Sequence, residues 1–259
     1  MAVSLRSFAG VQFRLSARTR ALLSGVHVSW RLGAGERFAD LKPYEHGDPV
    51  RRIDWRFEAR TNRLAIRRYE EPRVARIVAF YDVSESMRSP ESEGGRAESQ
   101  DEILSSLQWL ADTSGDNLVG VPCVPSELPA TRAARPRWRP ELVLWLTDAL
   151  DPVERVAECL GCLRSWYPYE AIRAVGVLRA DELAGVNAPL VLDTEHSATA
   201  MLDAPEARKS YVQAMRQHRA AVYDAARQLN IRWGWAQASD PARAALFLTD
   251  PDRFHLAFR

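Results

Sequence analysis

Asp82, Ser84 and Ser86 form a D-x-S-x-S run at the end of the apolar stretch Ile77 to Tyr81, and Asp148 stands in the same relation to a second apolar stretch, Leu142 to Leu146. Alternate residues of such a loop can point two hydroxyls and a carboxylate to one side. In open α/β sheets ligands collect outside the carboxyl ends of the strands, where both acids are expected. Hydroxyls and carboxylates are hard oxygen donors, suited to Mg²⁺ or Mn²⁺ in near-octahedral geometry and ill suited to zinc. The spacing also suits a purely structural loop, in which Ser84 and Ser86 cap the next turn and Asp82 makes an internal salt bridge.

Other chemistries fit these residues less well. A phosphatase with an aspartyl nucleophile wants a second acid two residues on as general acid and base, and that position is Ser84. A serine hydrolase needs a G-x-S-x-G elbow and a partner histidine, and neither Ser84 nor Ser86 lies in one. No G-x-x-x-x-G-K-[ST] loop is present, which excludes a P-loop ATPase. Cys159 and Cys162 form a C-x-x-C, but Val156, Leu160, Leu163 and Trp166 around them keep a helical period, and Cys123 is the one cysteine left to complete a zinc site. Helix packing is the expected role of the pair. His27, His46, His196, His218 and His255 are scattered without ligand spacing.

The elements that must position these residues alternate from Arg76 onward. Ile77 to Tyr81 reads as a buried strand, Glu98 to Ala111 as an amphipathic helix, and Leu118 to Val121 and Leu142 to Leu146 as further strands. A helix follows with Asp151 as expected N-cap and Pro152 at its first position. Then come a strand at Ala174 to Leu178, a long helix from about Pro205 to Leu229, a Trp-rich strand at Ile231 to Ala236, and a short helix begun by Asp240 and Pro241. Strands separated by helices of this length predict an α/β domain with a mainly parallel sheet covered on both faces. Residues 1–75 follow other rules. Glycine and proline punctuate short stretches such as Val26 to Arg31, Ile53 to Phe57 and Leu64 to Tyr69, read as small strands or turns, so an N-terminal β-rich subdomain is expected before a domain at 76–259.

Composition narrows the function classes. With 259 residues, 46% apolar and 27% charged, the chain is globular and has no run long enough to span a bilayer. Three cysteines build no disulfide framework, and the Arg-broken, acid-free start offers no apolar core for a secretory signal; the cytoplasm is expected, with an organelle transit peptide as the lesser alternative. The net charge of +1 hides an asymmetry: up to Arg76 there are 16 Lys+Arg against 8 Asp+Glu, and afterwards 19 against 26. Nearly all the positive charge is guanidinium, which favours carboxylate or phosphate partners, including the chain's own acidic half.

Gly25-Val-His-Val-Ser29, Gly33-Ala-Gly35-Glu36-Arg37-Phe38-Ala39-Asp40-Leu41-Lys42-Pro43-Tyr44, Gly47-Asp48-Pro49-Val50-Arg51-Arg52-Ile53-Asp54-Trp55, Ala59-Arg60 and Tyr81-Asp82-Val83-Ser84-Glu85-Ser86-Met87 together resemble the bacterial family called domain of unknown function 58. The resemblance is dense from Ser24 to Met87 and looser beyond. It implies a von Willebrand factor A-like, Rossmann-like fold whose metal-ion-dependent adhesion site uses the D-x-S-x-S loop, a threonine from another loop and an aspartate after a later strand. By position, Asp82, Ser84, Ser86 and Asp148 are the metal ligands it implies, holding Mg²⁺ or Mn²⁺ with one coordination position open for a partner's Asp or Glu. The family further implies a MoxR-type AAA+ ATPase as partner, and one branch is similar to accessory proteins for methanol dehydrogenase maturation.

Two departures stand out. Between residues 120 and 141, where such folds place further elements and the metal-binding threonine, the chain has a proline-rich stretch with Thr131 as its one threonine. The domain is expected to be shortened there and the metal site degenerate, with weak binding in the absence of a partner. Many relatives also carry amino-terminal membrane helices, whereas this chain starts almost at the shared region. The expected function is a non-catalytic adaptor or co-chaperone for a MoxR-type ATPase, acting on a client with an exposed acid. The alternative is a nucleic-acid-binding module using the Arg-rich N-terminal region, against which Glu36, Asp40, Glu45, Asp48, Asp54 and Glu58 interleave with those arginines.

Overall fold

The structure, a computed structural model, describes Phe8 and residues 10–15, 38–69, 74–88, 95–128, 138–179, 182, 190–193, 198–201 and 205–256. Two compact units emerge: residues 17–74 form one, and residues 1–16 with 75–259 form the other. The N-terminal subdomain expected over 1–75 thus differs at its start. Phe8, Val11 and Phe13 are buried in the core of the α/β unit: a turn closed by the Val11 N–H on the Phe8 carbonyl sets these apolar side chains where burial against the core removes them from water.

In the unit of residues 17–74, β1 (Phe38–Pro43) pairs antiparallel with β2 (Ala65–Tyr69). Between them lies α1 (Trp55–Thr61), where the sequence suggested a strand or turn. Asp54 decides this: its carboxylate accepts from the backbone N–H groups of Arg56 and Phe57, capping a helix start, and its second oxygen takes the Arg67 guanidinium at 2.9 Å. The stretch 26–31 lies outside the described residues.

The second unit is built on five parallel strands. β3 (Arg76–Asp82), β4 (Asn117–Cys123), β5 (Leu142–Thr147), β6 (Ile172–Leu178) and β9 (Arg232–Gln237) lie in the order β4-β3-β5-β6-β9. The α/β architecture with a parallel sheet is the one the sequence pattern predicts. β7 (Leu190–Asp193) and β8 (Ala198–Met201) form a separate antiparallel pair between β6 and the long helix that precedes β9, an element pair the sequence reading passed over.

Alternate strand residues feed two cores, as a period of two requires. Ile77, Ala79, Leu142, Leu144, Leu146, Val175 and Val177 pack against Ile103, Leu107 and Leu110 of α3 (Arg96–Ser114) and Ala244, Phe247 and Leu248 of α6 (Pro241–Thr249). α2 (Glu85–Arg88) is the short turn of helix before α3. On the other face Val78, Phe80, Val143, Trp145, Trp233 and Trp235 meet Val156, Cys159, Leu160 and Leu163 of α4 (Val153–Trp166) and Val222 and Ala226 of α5 (Pro205–Gln228). Gly176, beside Trp235 in register, is required by close approach: a Cβ there would stand 2.2 Å from the Trp235 ring. α4 starts one residue later than expected, with Pro152 itself at the N-cap. Between β4 and β5, Pro125–Glu127 form a short 3₁₀ turn, and Thr131 lies outside the described residues.

Candidate functional site

Numbering the five parallel strands along the chain gives the spatial order 2-1-3-4-5, whose direction of winding reverses between the first strand, β3, and the third, β5. The crevice beyond the carboxyl ends of those two strands is where this topology places ligands, because adjacent loops there diverge to opposite faces of the sheet. β3 ends on Asp82, and Asp148 immediately follows β5. The topology brings the two acids of the sequence motif to one place.

The D-x-S-x-S loop is tightly ordered. Asp82 Oδ1 accepts the Ser84 backbone N–H at 2.8 Å, an Asx-type turn that fixes the loop, and the Val83 N–H donates to the Cys123 carbonyl at 2.9 Å. Ser84 Oγ and Ser86 Oγ lie 3.0 Å apart. From α3, Gln100 Nε2 donates to the Asp82 carbonyl at 2.9 Å. Asp82 Oδ2 accepts from the hydroxyl of Thr147, the last residue of β5, at 2.7 Å. That hydroxyl in turn accepts from the Ala149 N–H at 3.0 Å, while Asp148 Oδ1 accepts from the Leu150 N–H at 3.2 Å. Ala149 holds a positive φ of 52°, with its carbonyl taking a hydrogen bond from His218 Nε2 at 2.7 Å. A left-handed alanine is a small local strain, and it falls beside the two acids.

Charge is the site's main feature. Asp82 is 1% exposed and Asp148 2% exposed. Burial, and then the neighbouring Asp148, push the Asp82 carboxyl up to about 6, against the hydrogen bonds from Ser84 and Thr147 that favour its ionised form. Among the described residues the hydrogen bonds to the Asp82 carboxylate come from Ser84 and Thr147 and not from a salt-bridging cation. The basic group of the site is Arg96. Its Nη1 donates to the Ser86 carbonyl at 2.6 Å and lies 3.5 Å from Asp148 Oδ2, and its Nη2 pairs with Glu182. Asp148 Oδ2 is buried and accepts no hydrogen bond among the described residues.

The donor set suits a small hard cation. In an octahedron with bonds of about 2.1 Å, neighbouring ligands stand about 3.0 Å apart, which is the separation of the two serine hydroxyls. The buried, unfilled lone pair of Asp148 and the mutual repulsion of the two acids are what a divalent ion would relieve. No metal-holding cluster of three or more His, Cys, Asp or Glu gathers among the described residues, and the candidate donors here are two carboxylates and two hydroxyls. The C-x-x-C offers nothing comparable: Cys159 is buried on α4 with its thiol pushed up to about 12 by desolvation, and it hydrogen-bonds the Pro125 carbonyl at 3.1 Å.

Asp82, Ser84, Ser86 and Asp148 are therefore brought together. Sequence reasoning missed three participants. Thr147, which contacts Asp82, adjoins Asp148 and lies outside the stretch 120–141 in which the resemblance places the threonine. Arg96 carried a readable signal, since a cation in the first turn of a helix opposes the helix dipole unless acids hold it there. Glu182 comes from beyond β6 and has no local signature.

Residues 40–122 match the family model described as Protein of unknown function DUF58, the family whose motifs the sequence resembles. The match begins in β1, includes Asp82, Ser84, Ser86 and Arg96, and ends before Asp148. No curated protein matches the chain.

Proposed function

We propose that this chain is a non-catalytic adaptor or co-chaperone, working with a MoxR-type AAA+ ATPase in the maturation of an enzyme complex or the insertion of its metal or cofactor, and gripping acidic side chains through a divalent ion. The observation that carries the reading is the convergence of Asp82, Ser84, Ser86 and Asp148 at the switch point of the sheet. Asp82, Asp148, Ser84 and Ser86 would hold Mg²⁺ or Mn²⁺, and the ion would supply an open coordination position for a partner's carboxylate. The chain's own residues orient that position: Thr147 and the Ser84 amide fix Asp82, and the Leu150 amide fixes Asp148. A von Willebrand factor A-like identity follows from the family resemblance and accords with the α/β sheet.

A non-catalytic role fits the polar groups present. His218 spends Nε2 on the Ala149 carbonyl, and the two serine hydroxyls face each other, so among the described residues no histidine is hydrogen-bonded to either serine. In the N-terminal unit, Lys42 pairs with Glu45 at 2.9 Å and Asp48 at 3.5 Å, and Arg67 with Asp54. Such local pairing supports a protein-facing or structural role for its basic residues over phosphate binding. No helix of the described residues is long and apolar enough to cross a membrane, and a cytoplasmic site of action is part of this proposal.

Capture of the tagged chain from its native host, with and without nucleotide, tests the partnership. Enrichment of an AAA+ ring is the expected result, and its absence under every nucleotide condition would remove the main support for the adaptor role.

A further inference from the structure

Arg96 occupies an unusual position for a cation. It is the first residue of the nineteen-residue α3, where the helix dipole disfavours positive charge, and its side chain is only 9% exposed. Three oxygen groups from three separate segments hold it there: the Ser86 carbonyl after β3, Asp148 after β5, and Glu182 beyond β6. Glu182 is itself fixed by the Arg179 N–H at 2.8 Å. The contacts are unequal. Hydrogen bonds go to Ser86 and Glu182, while Asp148 Oδ2 lies at 3.5 Å, within ion-pair range but with its lone pair unfilled.

We infer that Arg96 is the resident cation of this site, sharing Asp148 with the divalent ion, and that Glu182 sets the ion's affinity by holding the guanidinium back from that carboxylate. The inference rests on the reading of the loop as a divalent-cation site. Held by Glu182 and the Ser86 carbonyl, Arg96 leaves one oxygen of Asp148 open to the ion. Released from Glu182, the same guanidinium reaches Asp148 by a small rotation and closes it. A planar guanidinium binds a carboxylate through two parallel N–H groups, so an Arg96 turned onto Asp148 would occupy both oxygens. Any partner that engages Glu182 would then loosen the ion, and any that fills the ion's open position would tighten Arg96 on Glu182.

The test is Mn²⁺ affinity, by titration calorimetry and by the electron paramagnetic resonance signal of free Mn²⁺, in wild type, Arg96→Gln, Glu182→Gln and the double variant. Removing Arg96 is expected to tighten Mn²⁺ at least 10-fold. Glu182→Gln is expected to weaken it several-fold in the wild-type background and to change it less than 2-fold when Arg96 is already gone, since it acts through Arg96. If Glu182→Gln weakens Mn²⁺ equally in both backgrounds, Glu182 acts by simple charge and the inference fails. Equal or weaker binding by Arg96→Gln also overturns it while leaving the cation site intact. No Mn²⁺ binding by any of the four proteins overturns the cation site and the inference together. In the unaltered protein, ¹⁵N-arginine spectra give an independent measure: Mg²⁺ should shift the Arg96 guanidinium resonances, and an unmoved signal at saturating Mg²⁺ contradicts the sharing.

Discussion

Asp82 is held ionised at neutral pH against its surroundings. Its folded carboxyl is raised from 3.8 to about 6 by burial and by Asp148. The native state therefore binds the proton more tightly than the unfolded chain. The stabilisation this provides is fully present below about pH 3.8 and is lost as pH rises through about 6. At pH 8 without metal, the ionised Asp82 thus costs up to about 3 kcal/mol. Asp82→Asn keeps an acceptor for the Ser84 amide and a partner for Thr147 while removing the charge. The metal-free variant should melt several degrees above wild type at pH 8, and the gap should close as pH falls toward 4. Added Mg²⁺ should stabilise wild type alone. A variant less stable than wild type at pH 8 would mean the carboxylate is stabilising as it stands, which is the behaviour of a structural loop.

At the scale of elements, the site depends on β3 and β5 ending level with each other, as their direct parallel register, Tyr81 opposite Leu146, places them. β6 and β9 approach closely because Gly176 leaves room for the Trp235 ring, itself edge-on to Trp233 with centroids 5.3 Å apart. Gly176→Ala should cost about 2–4 kcal/mol, since neither a central strand nor a buried indole can shift easily; chemical denaturation measures it, and a loss under about 0.5 kcal/mol would show that the ring can move aside. The strand runs and the acids at their ends were legible because buried parallel strands are continuous apolar stretches and their carboxyl ends turn polar at once. α1 was not, because Ile53 to Phe57 is too short for periodicity to separate helix from strand, and the Asp54 cap decides it. The partners of the acids were harder still. Arg96 and Glu182 meet across 86 positions of sequence, and only the sheet order brings such residues together. The contribution of Phe8, Val11 and Phe13 to the second unit was hidden for the same reason.

At the scale of the molecule, the basic residues up to Arg76 outnumber the acids there, but some of them are paired locally, as in Asp54 with Arg67 and Lys42 with Glu45. Mixed-sequence duplex DNA should accordingly bind weakly; micromolar or tighter binding at physiological salt, with the steep salt slope of counterion release, would favour the nucleic-acid alternative. The central claim is that the crevice between β3 and β5 grips a partner through a divalent ion. Its most direct measurement is capture of the proposed AAA+ partner by wild type and by Asp82→Ala, each with Mg²⁺ and with chelator, alongside thermal melts of both proteins. A folded Asp82→Ala that fails to capture the partner, and a wild type that captures it with Mg²⁺ and releases it with chelator, is the predicted result. Equal capture in all four conditions would contradict the claim and place the interface elsewhere on the chain.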